Sequence, residues 1–121
     1  ERSFYTGDVT FVELNTTEGE VGIYARHIPM TMIIAPGVLT ITEEDGTKKK
    51  AALLKGFVEV TETTMSILAE VAEWPEDIDI ERAKKAEERA RKRLEAKSAD
   101  IDIARAELAL KRALVRKGLK A

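Results

Sequence analysis

Apolar residues alternate with polar ones through the first part of the chain and recur at every third or fourth position in the last part. Alternating or short apolar runs at residues 9–14, 21–24, 38–42, 51–54, 57–60 and 65–71 predict strands. Glu44-Asp45-Gly46-Thr47 predicts a hairpin turn, because Asp-Gly supplies the positive φ that a tight connection requires. Thr61-Glu62-Thr63-Thr64 predicts a second turn. Strands this short and this regularly spaced predict a small sandwich or barrel. In Phe57-Val58-Glu59-Val60 the alternation is imperfect, which predicts that some strands are buried on both faces.

The period changes after Trp74-Pro75. Pro75 cannot donate to a strand ladder and disfavours helix at Trp74. Residues 73–78 therefore form the boundary between a β domain (1–74) and a helical domain (75–121), with Trp74 read as a last core aromatic or a plug between the two. Beyond it the chain repeats itself: Asp77-Ile78-Asp79-Ile80-Glu81-Arg82-Ala83 returns 23 residues later as Asp100-Ile101-Asp102-Ile103-Ala104-Arg105-Ala106. Each copy opens a run rich in Ala, Leu, Glu, Lys and Arg, a helix-forming composition, with Asp placed to cap its first turn. Two repeats are too few for a solenoid. With a short link at Lys97-Ser98-Ala99 they predict an antiparallel two-helix hairpin, and hence an α+β fold.

Ala83, Ala86, Ala90 and Leu94 share one face of the first helix; Ile103, Ala106, Leu110 and Ala113 share one face of the second. These faces are mostly methyl groups, each worth only about 1 kcal/mol on burial. Helices of roughly 16–18 residues are marginal in water. The hairpin is therefore expected to be held weakly and to be able to come apart.

Charge sharpens this picture. Residues 1–78 hold 14 acids and 6 bases, residues 79–121 hold 8 acids and 14 bases. Such asymmetry points to partners of opposite sign or to the halves docking on each other. Within the basic half, Arg82, Arg89 and Arg93 lie about 100° to one side of the first apolar face, and Arg105, Arg112 and Arg116 about 100° to the matching side of the second. Antiparallel geometry turns both flanks to one edge, pairing in height Arg82 with Arg116, Arg93 with Arg105 and Arg89 with Arg112. The opposite edge mixes Lys84, Glu88, Arg91, Glu95, Glu107 and Lys111. A solvated basic edge is one reading. An oligophosphate site is the other, since stacked guanidinium groups repel and Arg forks match phosphate oxygens.

These residues resemble a known family, the epsilon subunit of F-type ATP synthases. Thr17-Glu18-Gly19-Glu20-Val21-Gly22-Ile23, His27-Ile28-Pro29 and Pro36-Gly37-Val38-Leu39 resemble its N-terminal signature. Ile78-Asp79-Ile80-Glu81-Arg82-Ala83 matches the I/L-D-x-x-R-A motif by which some bacterial members bind ATP, and the run 105–113 is similar to their second helix. The resemblance implies an N-terminal flattened β-sandwich and a C-terminal antiparallel two-helix hairpin, preceded in the family by a further strand ahead of Glu1. It implies a rotor-stalk subunit of the proton-translocating complex, contacting the gamma subunit, the c-ring and the alpha/beta catalytic ring. The place implied is the cytoplasmic face of the cell membrane, peripherally. It also implies that extended helices inhibit ATP hydrolysis and that ATP, as a regulatory ligand, holds the folded form. By motif, Ile78, Asp79, Arg82 and Ala83 would form the ATP site, joined by Arg89, Arg112, Arg116 and Glu73.

Other chemistry is sparse. The chain has no Cys, which excludes a disulfide framework or thiolate metal site and points to an intracellular location. The single His27 cannot build an ordinary zinc site or a credible Ser/His/Asp arrangement; it is read as fixing a turn. No apolar run is long enough to span a bilayer. No Walker-type glycine loop appears, so a catalytic nucleotide site is not implied. Lys48-Lys49-Lys50 is read as edge-strand protection, and Asp77 and Asp79 as caps. The competing functional reading is a nucleic-acid-binding module built on the basic hairpin; a free-standing enzyme lacks any catalytic constellation.

Overall fold

The computed structural model describes residues 5, 7–24, 29–96 and 102–120. The expected turn at His27-Ile28, the link at Lys97-Ser98-Ala99 and the second-repeat Asp100 lie outside the described residues. The strands are β1 (Val9–Thr16), β2 (Gly19–Tyr24), β3 (Met30–Ile33), β4 (Gly37–Glu43), β5 (Lys48–Val60) and β6 (Met65–Glu73). A 3-10 turn (Pro75–Asp77) leads to helices α1 (Ile80–Ala96) and α2 (Ile103–Lys120). The α+β architecture read from the sequence is the one observed.

All strand pairs are antiparallel, in the order β2-β1-β4-β5-β3 with β6 on the other edge of β5. β4 pairs with the first half of one β5 edge and β3 with the second half. The two predicted runs at 51–54 and 57–60 are thus one strand of 13 residues. Gly56 makes its bend: its φ is +143°, and the register with β6 slips on both sides of Lys55. Between β4 and β3, Ile34 N donates to Gly56 O at 2.9 Å, while Ala35 N donates to Asn15 O at 3.0 Å and ties the start of this link to β1. The sheet so turns back on itself as two layers over one core, which includes Val12, Leu14, Ile23, Leu39, Ile41, Leu53, Val58 and Val60. β3 occupies a stretch where the sequence pattern predicts no strand. Four residues next to Pro29 carry too little alternation to register.

The burial on both faces expected for some strands is found in β5, at residues 51–54 rather than 57–60. Phe57 to Val60 alternates cleanly, with Val58 and Val60 inward and Phe57 42% exposed. Residues 51–54 are the ones buried on both faces. Leu53 belongs to the sandwich core, whereas Ala52 and Leu54 form a second cluster with Ile78, against which Val71, Val115 and Leu119 pack. That cluster docks the hairpin on the sandwich. Lys48 to Lys50 precede the start of β6 pairing at Ala52, so they have a neighbouring strand on the β4 side only, where lysines oppose edge-to-edge association.

Two glycines should respond oppositely to substitution. A Cβ on Gly56 would strike the Leu68 carbonyl oxygen in a backbone conformation that L residues avoid. Gly56→Ala is expected to lower unfolding free energy by more than about 2 kcal/mol in urea titrations. Gly118, inside α2 with no heavy atom within 4 Å of a built Cβ, should gain about 0.5–1 kcal/mol as Ala.

Candidate functional site

The hairpin begins on two caps. Asp79 Oδ1 accepts from Arg82 N at 3.1 Å, and Asp102 Oδ1 accepts from Arg105 N at 3.1 Å. Each satisfies an orphan donor of the first turn and favours the helix dipole. Asp77 sits in the 3-10 turn instead. The repeat seen in the sequence therefore places an equivalent cap before each helix.

Ala83 and Ala90 are buried on α1, Ala106 and Ala113 on α2. Both pairs are seven residues apart, so each helix offers the other two small-residue levels about 10 Å apart. Ala86, Leu94 and Leu110 are half-buried beside them, but Ile103 is 53% exposed and lies outside the seam. The direction is confirmed at the base, where Lys120 Nζ donates to Pro75 O at 2.9 Å.

This seam sets the side on which the arginines stand. Each buried alanine is preceded by an arginine: Arg82, Arg89, Arg105 and Arg112. All four therefore lie on the same edge. Along it, Arg89 stands about 10 Å nearer the hairpin tip than Arg82, and Arg112 and Arg116 stand one turn, about 6 Å, apart.

Around α2, Val115 and Leu119 face the sandwich roughly opposite the seam, and Arg112 and Arg116 project between the two. Arg116 is correspondingly only 26% exposed and forks onto Glu73 at the end of β6, Nε to Oε1 at 2.7 Å and an Nη to Oε2 at 3.3 Å. Arg112 Nε is buried with no hydrogen-bond partner among the described residues. Arg82 and Arg89 are exposed and have no carboxylate partner among those residues. Arg82, Arg89 and Arg112 are thus uncompensated among the described residues, and one buried donor, Arg112 Nε, has no acceptor there. Two cavities, of about 300 and 620 Å³, lie on the sandwich, and no edge arginine lines either.

Ile78 stands where the hairpin meets the sandwich. It is 4% exposed and packed into the docking cluster, while Asp79 is spent on its cap and Ala83 on the seam. Of the motif, only Arg82 presents a free polar side chain at the edge. The opposite edge holds a feature that sequence reasoning missed. Glu87 Oε1 accepts from Lys117 Nζ at 3.0 Å across the helices, and its Oε2 accepts from Arg91 Nε at 3.0 Å. These two bonds hold the Glu87 carboxyl below the usual Glu range. The Glu87–Arg91 spacing was visible in sequence, but the reach to Lys117 required the register.

The sandwich carries a second surface. Ile33, Phe57 and Leu68 are cross-strand neighbours on β3, β5 and β6, and they are 63%, 42% and 49% exposed. Three large apolar side chains in one outward row mark an interaction surface rather than scattered exposure.

Comparison with known proteins covers both units. Residues 1–75 match the family model described as ATP synthase, Delta/Epsilon chain, beta-sandwich domain, and residues 76–116 match its long alpha-helix domain. The chain is 49% identical over 110 residues to the ATP synthase epsilon chain of Halalkalibacterium halodurans, spanning 90% of this chain and 82% of that one. It is 45% identical over 115 residues to the epsilon chain of Caldanaerobacter subterraneus, spanning 95% and 83%. A chain of the Euglena gracilis mitochondrial ATP synthase assembly of OSCP, F1 and c-ring superimposes with a TM-score of 0.78 at 30% identity, over 91% of this chain and 69% of that one. A chain of the Tetrahymena thermophila central stalk and c-ring shares the fold, with a TM-score of 0.66 at 14% identity.

Two outcomes follow from this geometry. Ile78→Ala empties the docking cluster and should cost about 2–4 kcal/mol of stability, read by urea unfolding. Because the folded-state pKa of Glu87 is depressed, its bonds stabilise the hairpin above the ordinary Glu pKa and are lost as pH falls through the lowered value. Amide protection factors in α1 and α2, taken relative to the intrinsic exchange rate at each pH, should fall below about pH 4.3, and Glu87→Gln should remove this component.

Proposed function

Because this chain belongs to the ATP synthase delta/epsilon family, we propose that it is the regulatory epsilon subunit of the rotor, with a helical hairpin that senses ATP. It is a non-catalytic part of the complex that couples proton flow to ATP synthesis. The sandwich is its fixed base. The outward row Ile33, Phe57 and Leu68 suits an apolar seat for the gamma subunit, with the c-ring as the neighbouring rotor partner and the alpha/beta catalytic ring as the one the hairpin meets when extended. No described helix is long and apolar enough to cross a membrane, so attachment through these partners at the cytoplasmic face is the placement proposed.

The observation that carries the sensor reading is the uncompensated guanidinium edge. Arg82 and Arg89 on α1 and Arg112 on α2 have no carboxylate partner among the described residues, and Arg116, one turn from Arg112, is the one paired with Glu73. A triphosphate bound among them relieves their repulsion and does so only while the hairpin is closed, so it draws the population toward the closed, non-inhibitory form. Arg89, nearer the tip, extends the same edge. Ile78, Asp79 and Ala83 act on the ligand by setting the position of Arg82, and Glu73 does so for Arg116. ATP is accordingly a regulatory ligand, with no metal site of the protein's own required. The nucleic-acid reading has less support, since neither helix carries an aromatic side chain on which a base could stack.

Calorimetric titration of the purified chain with ATP should give saturable binding. Arg82→Ala should weaken it about tenfold or more, as expected for loss of a charge-assisted hydrogen bond. Unchanged affinity in that variant would reject this site.

A further inference from the structure

From the far edge of the hairpin we infer that Glu87 is a positioning residue for the nucleotide, clasping the two arginine-bearing helices at the spacing the anion needs. The inference rests on the sensor reading above. Arg82 and Arg89 belong to α1, while Arg112 and Arg116 belong to α2. Before ligand arrives these groups push the helices apart, and the seam between them is mostly alanine methyls. Glu73 restrains only α2, because it ties Arg116 to β6. Among the described residues, Lys117–Glu87 is the one ion pair that joins α1 to α2.

Its geometry suits that role. Glu87 lies on the flank of α1 away from Arg82 and Arg89, roughly 140–160° around the helix. Its side chain is only 13% exposed. Arg91 holds one carboxylate oxygen at 3.0 Å, which leaves the other aimed at Lys117. The carboxylate therefore touches no phosphate and acts through helix spacing alone. A ligand that binds only the closed hairpin sees its affinity reduced by whatever fraction of chains are open.

This reading predicts a sign that simple electrostatics does not. Removing a negative charge near a polyanion site should tighten ATP binding. The clasp predicts the reverse: Glu87→Gln should weaken ATP about three- to fivefold in calorimetry. Lys117→Met should weaken it similarly, the double variant should lose no more than either single one, and Lys117→Arg should retain affinity. Lys92→Met, which removes a lysine paired with Glu88 on the exposed side, serves as the charge control and should change affinity little. In parallel, the chain lacks cysteine, so spin labels on cysteines introduced at Lys85 and Leu114 report the α1–α2 distance without ligand. That distribution should lengthen or broaden in Glu87→Gln. Tighter or unchanged ATP affinity in Glu87→Gln, or additive losses in the double variant, would overturn the clasp. If the wild type binds no ATP, the sensor reading falls, and the label distances alone decide the clasp: an unchanged distribution rejects it.

Discussion

Like charges are held along a seam made mostly of methyl groups, and the rest of the hairpin follows from that constraint. Each buried alanine contributes about 1 kcal/mol by transfer, and each guanidinium pair at contact distance in water opposes it by roughly the same amount. The alanine seam by itself therefore holds the helices only weakly. Contacts outside it add to the hold: the docking cluster around Ile78, the Arg116–Glu73 fork, the Lys120 bond to the Pro75 carbonyl, and the Glu87–Lys117 pair.

The sandwich supplies the rigid side of that arrangement. Its long strand β5 is covered twice at residues 51–54, by the core on one face and by α2 and Ile78 on the other. The Gly56 bend then turns the same strand so that Phe57 faces outward in the row with Ile33 and Leu68. One strand thereby links the surface that docks the hairpin to the surface suited to a rotor partner. The two units meet mainly through α2 and the 3-10 turn, which pack on β4 and β5.

Much of this was legible in the chain. The change of period at Trp74-Pro75, the duplicated Asp-Ile-Asp-Ile run, the alanine faces and the single-sided arginines all appear as local patterns, and each corresponds to an observed feature. What escaped were relations between residues far apart in sequence. β3 is too short to show alternation, and Gly56 looks like a break between strands when it is a bend within one. Ile103 fits the helical spacing of the seam but falls at the tip and is 53% exposed. The contacts of Ile78 with Leu54 and Leu119, which come from both units, could not be read from its motif.

By itself the sequence determined the two-part α+β plan, the caps, the seam and the side on which the arginines stand, since all of these depend on spacings of a few residues and on fixed helical and strand periods. Tertiary structure alone decided the long-range contacts. It paired Arg116 with Glu73, brought Lys117 to Glu87 and left Arg112 Nε without a partner among the described residues. The physical reason is that the distance between two helices, and between a helix and a sheet, is set by packing of side chains that no local period encodes.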